Sequence, residues 1–107
     1  MWKRNKSGFK GVSKTQGSYG ELKTWRVIIA FNKQDYVVGS FFKTPEDAAI
    51  AYDLASHILF KEHGLRNFPG LDLKTLITRN KEIFGDRLQT SKSKYINLLN
   101  SFLSTIN

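Results

Sequence analysis

The chain has 107 residues and a formal charge of +8, a length that fits one domain with a short extension and leaves no room for a two-domain enzyme. A hydrophobic share of 40%, with fourteen aromatics, supports one modest core, and the absence of cysteine excludes a disulfide scaffold, a Cys-based zinc site and a thiol nucleophile. No apolar run approaches the ~18–20 residues needed to cross a bilayer, and no signal-peptide stretch opens the chain.

Residues 1–8 form a basic arm, and Lys3, Arg4, Lys6, Lys10 and Lys14 give the first twenty residues five bases and no acid. Residues 9 to 14 are a short strand candidate. Residues 15–23 carry Gly17 and Gly20 and suit a loop. Thr24 to Phe31 and Asp35 to Phe42 are rich in β-branched and aromatic residues, and Asn32, Lys33 and Gln34 suit a tight connection between them. The expectation is a three-stranded antiparallel meander. Alternation puts Trp25, Val27, Ile29 and Phe31 on one face with Tyr36 and Val38, and Arg26, Ile28, Ala30, Asp35 and Val37 on the other. The first face is the more apolar, so it should form the core, with Phe41 expected to join it.

Thr44-Pro45-Glu46-Asp47 predicts a sharp helix start, with Thr44 as cap, Pro45 in the first turn and two acids at the positive end of the dipole. His63-Gly64 is its expected stop, Gly64 serving as the C-terminal cap. Ala48, Ala51, Tyr52, Ala55 and Leu59 make one apolar stripe, and Ile50, Leu54 and Ile58 a second. A helix with two such stripes needs two partners, the sheet and something later in the chain. Asn67-Phe68-Pro69-Gly70 closes the first unit. Leu73, Leu76, Ile77, Ile83 and Phe84 predict a short helix ending at Gly85. Tyr95, Leu98, Leu99, Phe102, Leu103 and Ile106 predict an amphipathic helix from about Lys92, capped by Thr90 or Ser91. The fold class is therefore α+β: a three-stranded antiparallel sheet packed on one long amphipathic helix, plus a C-terminal helical extension of one or two helices over residues 71–107. Those helices should cover Ile50, Leu54 and Ile58, or pair with a protein partner or a second copy.

The uneven charge suggests a polyanionic partner, nucleic acid before an anionic membrane. Twelve lysines against five arginines favour phosphate contact over bidentate base reading. Trp2 is a candidate stacking platform.

Phe9-Lys10-Gly11-Val12, Trp25-Arg26-Val27, Gly39-Ser40-Phe41, Thr44-Pro45-Glu46-Asp47-Ala48-Ala49, Ala51-Tyr52-Asp53 and Asn67-Phe68-Pro69 occur in this order. Over about residues 8–70 the chain resembles the Apetala-two / ethylene-response-factor DNA-binding domain. The resemblance implies a sheet whose outer face enters the DNA major groove, a docking mode open to β-sheets. It implies that Lys10 and Gly11 approach DNA, that Lys14 and Lys23 neutralise phosphates, and that Tyr52 reaches a phosphate. Asp53 would be structural. Ser13 stands where the family has a second base-reading arginine. Ile28 and Ala30 stand where it often has Glu and Arg, and Val37 replaces a Trp. Ile28, Ala30 and Val37 can touch a thymine methyl and cannot read guanine. The expected nucleic-acid-binding set is Lys3, Arg4, Lys6, Lys10, Gly11, Ser13, Lys14, Lys23, Arg26, Ile28, Lys33, Val37 and Tyr52.

His57 and His63 fall on different helix faces without a carboxylate cage, so no metal is expected. Glu46, Asp47 and Asp53 fit helix-end electrostatics rather than acid–base catalysis. The expectation is a non-enzymatic, cofactor-free module that binds duplex DNA in transcription or genome regulation in the nucleus. The alternative is a structural RNA-binding subunit of a ribonucleoprotein such as an organellar ribosome, located in an organelle such as the mitochondrion.

Overall fold

The computed structural model describes residues 8–15 and 24–106. Three antiparallel strands, β1 (Val12–Lys14), β2 (Trp25–Phe31) and β3 (Gln34–Phe42), form a sheet in the order β1-β2-β3. Helices α1 (Pro45–Phe60), α2 (Leu73–Phe84), α3 (Arg87–Thr90) and α4 (Lys94–Thr105) follow. The α+β class and the meander are those expected from the sequence.

β1 is shorter than expected, because Phe9 to Gly11 form a turn rather than strand. Val12 N–H donates to the Phe9 carbonyl, and Gly11 has φ 74°. A Cβ on Gly11 would collide with the Tyr52 ring, so glycine is required there twice over. The β2–β3 hairpin turns on two residues, Asn32 and Lys33, both with positive φ, the geometry that matches strand twist. Gln34 belongs to β3.

Val27, Ile29 and Val38 are buried, with Trp25 and Tyr36 packed against them. Phe41 is a correction. It is 64% exposed, and Phe42 is the buried ring at 2%. Alternation continued from Tyr36 and Val38 points Phe42 inward and Phe41 outward, and the pairing with β2 is irregular there. Val27 pairs with Gly39 and Trp25 with Phe42, so β3 takes three steps where β2 takes two. The surplus is absorbed as a bulge with Phe41 at φ 63°. Its N–H donates to Thr15 Oγ1 at 3.3 Å.

α1 starts as its cap predicts: Thr44 Oγ1 accepts from Asp47 N–H at 3.0 Å. It ends three residues early. Lys61 adopts φ 58° and a 3-10 turn covers Lys61–His63. Gly64 is not a left-handed cap, since its φ is −71°. It is small because a Cβ would strike Ser56.

Ala48, Ala49, Ile50, Ala51, Leu54 and Ala55 are all buried, because α1 lies between the sheet on one side and α2 and α4 on the other. Asn80 Nδ2 donates to the Ile50 carbonyl at 3.3 Å and to the Leu76 carbonyl at 2.7 Å. The buried residues Leu76, Phe84, Tyr95, Ile96, Leu99 and Leu103 complete the core. The apolar faces of α2 and α4 are thus used inside the chain. α4 is capped by Ser93, whose Oγ accepts from Ile96 N–H at 3.1 Å. The expected caps, Thr90 and Ser91, instead end the unforeseen α3.

His57 joins α1 to α4 through an edge contact with Phe102, and its Nδ1 faces the Arg66 guanidinium at 3.3 Å. Burial, then the charges of Arg66 and Lys61, lowers its pKa. A base with a lowered folded pKa binds fewer protons folded than unfolded, so stability rises with pH across that window. Stability should be complete above the ordinary histidine pKa of ~6.5 and decline as pH falls from there to the lowered folded value. Urea midpoints of wild type and His57→Gln between these pH values check this, and the variant should show a flatter profile.

Candidate nucleic-acid interface

The helices occupy one face of the sheet. On the other, the register sets Ser13 across from Arg26, Ile28 across from Val37 and Ala30 across from Asp35. Ser13, Ala30, Asp35 and Val37 are exposed, and Arg26 and Ile28 half-buried. Arg26 sits on the central strand, its Nε shielded from solvent with no hydrogen-bond partner. Among the described residues the ion pairs are those of Arg79 with Asp47 and Glu82. Arg26 therefore carries an uncompensated charge in the middle of this face, where Asp35 is the acid at the far end.

Lys10, Lys14 and Lys33 are exposed around the sheet margin. Lys10 is fixed through its backbone: its N–H donates to Asn67 Oδ1 at 2.7 Å, and Asn67 Nδ2 donates back to its carbonyl at 3.2 Å. Asn67 is held in turn by Asp53. The fully buried Asp53 carboxylate accepts from Asn67 N–H at 2.7 Å and from Phe68 N–H at 2.8 Å. Burial raises the Asp53 pKa, and these hydrogen bonds oppose the rise. Helix, loop and first strand are thus joined in one chain of contacts ending at Lys10.

Ser13, Arg26, Ile28 and Val37 share one face, with Lys10, Lys14 and Lys33 beside it. Gly11 is exposed next to them. Tyr52 is not brought to this face. It lies half-buried on the helix side, beneath Gly11, where burial and then the Asp53 charge raise its pKa. Lys3, Arg4, Lys6, Lys23 and Trp2 lie outside the described residues. No group of three or more His, Asp or Glu side chains that could hold a metal occurs among the described residues.

Two features escaped the sequence reading. Phe41, with Val37, lines a groove of about 320 Å³ against Arg87, Ser93 and Ile96. The signal was Phe41-Phe42 itself, since adjacent strand residues cannot both face the core. The outer edge of β3 is also clamped. Arg87 donates to the Ser40 carbonyl at 2.9 Å and lies over the Phe42 ring at 5.5 Å, while Lys94 lies over Tyr36 at 5.4 Å.

Comparison with family models, curated proteins and solved structures returns no match.

Proposed function

We propose that the protein binds nucleic acid, duplex DNA foremost, through the outer face of its sheet, and acts in transcription or genome regulation. The observation that carries this reading is the uncompensated Arg26 at the centre of a helix-free sheet face, with Lys10, Lys14 and Lys33 at its margin. The resemblance to the Apetala-two / ethylene-response-factor domain supports the same docking mode. Lysine ammonium groups at the rim would meet phosphates, while the Ile28–Val37 pair would meet thymine methyls, which favours A·T-rich sites.

A structured RNA is the second reading. The exposed Phe41 ring favours it, because single-stranded RNA bases stack on aromatic side chains. Competition between an A·T-rich duplex and an RNA hairpin of equal charge separates the two.

Salt dependence tests the shared premise. Log affinity for a duplex should fall linearly with log salt, with a slope of about −0.9 per phosphate neutralised. Replacing Lys10 and Lys14 together by Ala should flatten the slope by up to about 2 and leave the urea midpoint unchanged. A slope equal to wild type would remove the first strand from the interface.

A further inference from the structure

β1 covers only part of β2. The ladder between them stops at Val12–Val27, and beyond it Ile28 N–H donates to the Gly11 carbonyl at 3.2 Å. That bond fixes the alternation: Ile28 and Ala30 turn their backbone groups toward the β1 side, and Ile29 and Phe31 turn theirs toward β3. The Gly11 turn then takes the chain away toward Asn67. The Ala30 N–H and C=O are left facing an edge where no described residue pairs with them. The opposite edge of the sheet is closed by Arg87 and Lys94. An edge left open while its counterpart is shielded invites strand addition.

The open edge is one wall of a groove of about 420 Å³. Its floor is Tyr52, Ser56 and Phe60 of α1, and its far wall is His63 to Leu65. Leu65 is 63% exposed, and the buried Ser56 Oγ has no hydrogen-bond partner. Exposed Lys10, Lys33 and Lys61 flank the groove in the chain, against the exposed acids Glu62 and Asp35. A polyanion would satisfy the lysines but not the Ala30 N–H and C=O.

We propose that this edge receives an acidic, extended peptide segment of a partner protein, added antiparallel to β2 in line with β1. Its backbone pairs with Ala30, its alternate apolar side chains rest on Phe60 and Leu65, and its acids face the lysines. The proposal does not rest on the nucleic-acid reading, although Lys10 and Lys33 border both surfaces.

The probe is acetyl-Asp-Val-Asp-Val-Asp-amide, followed by amide exchange in the whole chain. In the free protein the Ala30 amide should exchange readily while Ile29 and Phe31 are protected. Peptide should slow Ala30 exchange by about tenfold or more. The Lys-Val-Lys-Val-Lys counterpart should not, and neither should Asp-Val-Pro-Val-Asp, whose central proline lacks the N–H that would meet the Ala30 carbonyl. Leu65→Glu, at an exposed position, should weaken binding by about tenfold by placing a like charge on the wall. An Ala30 amide that stays unprotected up to millimolar peptide overturns the proposal. So does equal binding of either control peptide, or protection that appears with protein concentration alone, which would assign the edge to a second copy. A duplex that protects Ala30 as the peptide does would also overturn it, while leaving the outer-face reading standing.

Discussion

A fragment ending at Gly70 is expected to be unfolded. It would lose Leu76, Phe84, Tyr95, Ile96, Leu99 and Leu103, all buried in the single core. It would also leave Ile50 and Leu54 of α1 facing water and take the Phe84 ring away from Phe42, 5.7 Å distant. Each large side chain returned to water costs about 1.5–3 kcal/mol. A handful of such losses matches or exceeds the whole stability of a typical domain, about 5–15 kcal/mol. The fragment would retain the strands and α1 and still lack the second layer that an all-round apolar helix needs. Amide dispersion in a two-dimensional NMR spectrum and the presence of a cooperative urea transition decide it. A soluble fragment as stable as the full chain would show that residues 71–107 are an appended arm.

Asp53→Ala is expected to be the most damaging single change, at about 3 kcal/mol. Two backbone N–H groups, of Asn67 and Phe68, would lose their acceptor, and bonds to a charged group contribute roughly 1.5–3 kcal/mol each. Asp53→Asn keeps one acceptor oxygen but turns an NH2 group toward the other donor, so it should lie between. The urea midpoint should fall with an unchanged denaturant slope, which marks lost stability rather than a changed native state. A loss below about 1 kcal/mol would mean that water replaces the carboxylate at the loop.

The same residue shows where sequence reasoning reaches its limit. Thr44-Pro45-Glu46-Asp47 carries its helix start openly, because capping is local chemistry. The strand faces were legible for a similar reason: Val27, Ile29 and Val38 alternate with period two, and that alternation set Arg26, Ile28 and Val37 on one surface. Asp53 was placed as structural through a resemblance, but its partners lie fourteen and fifteen residues away and no local pattern announces them. Phe41 was misplaced although alternation from Tyr36 and Val38 puts Phe42 inward and Phe41 outward; the bulge itself is visible only when β2 and β3 are paired residue against residue. Tyr52 satisfied the helical stripe and also the resemblance. Only the approach of Gly11 showed that its ring faces the underside of the first strand. The split between α3 and α4 escaped because Thr90, Ser91 and Ser93 all qualify as caps, and their choice depends on the docking of Tyr95 in the core.

The contact that fixes Lys10 to Asn67 joins residues 57 apart in the chain, and this separation orders the events of folding. The β2–β3 hairpin closes over two residues and α1 follows directly, so both form through short loops. β1 meets β2 over a longer loop, with Thr15 N–H donating to the Thr24 carbonyl at 2.9 Å, but the turn ahead of it has no local route. Its anchor at Asn67 exists only after α1 has formed and Asp53 has gathered the loop behind it, and contacts that close large loops are the entropically expensive ones. The Lys10–Asn67 contact is therefore the last to be made. Substitutions at that contact, such as Asn67→Ala, should speed unfolding and leave the folding rate nearly untouched, the kinetic signature of contacts made after the barrier.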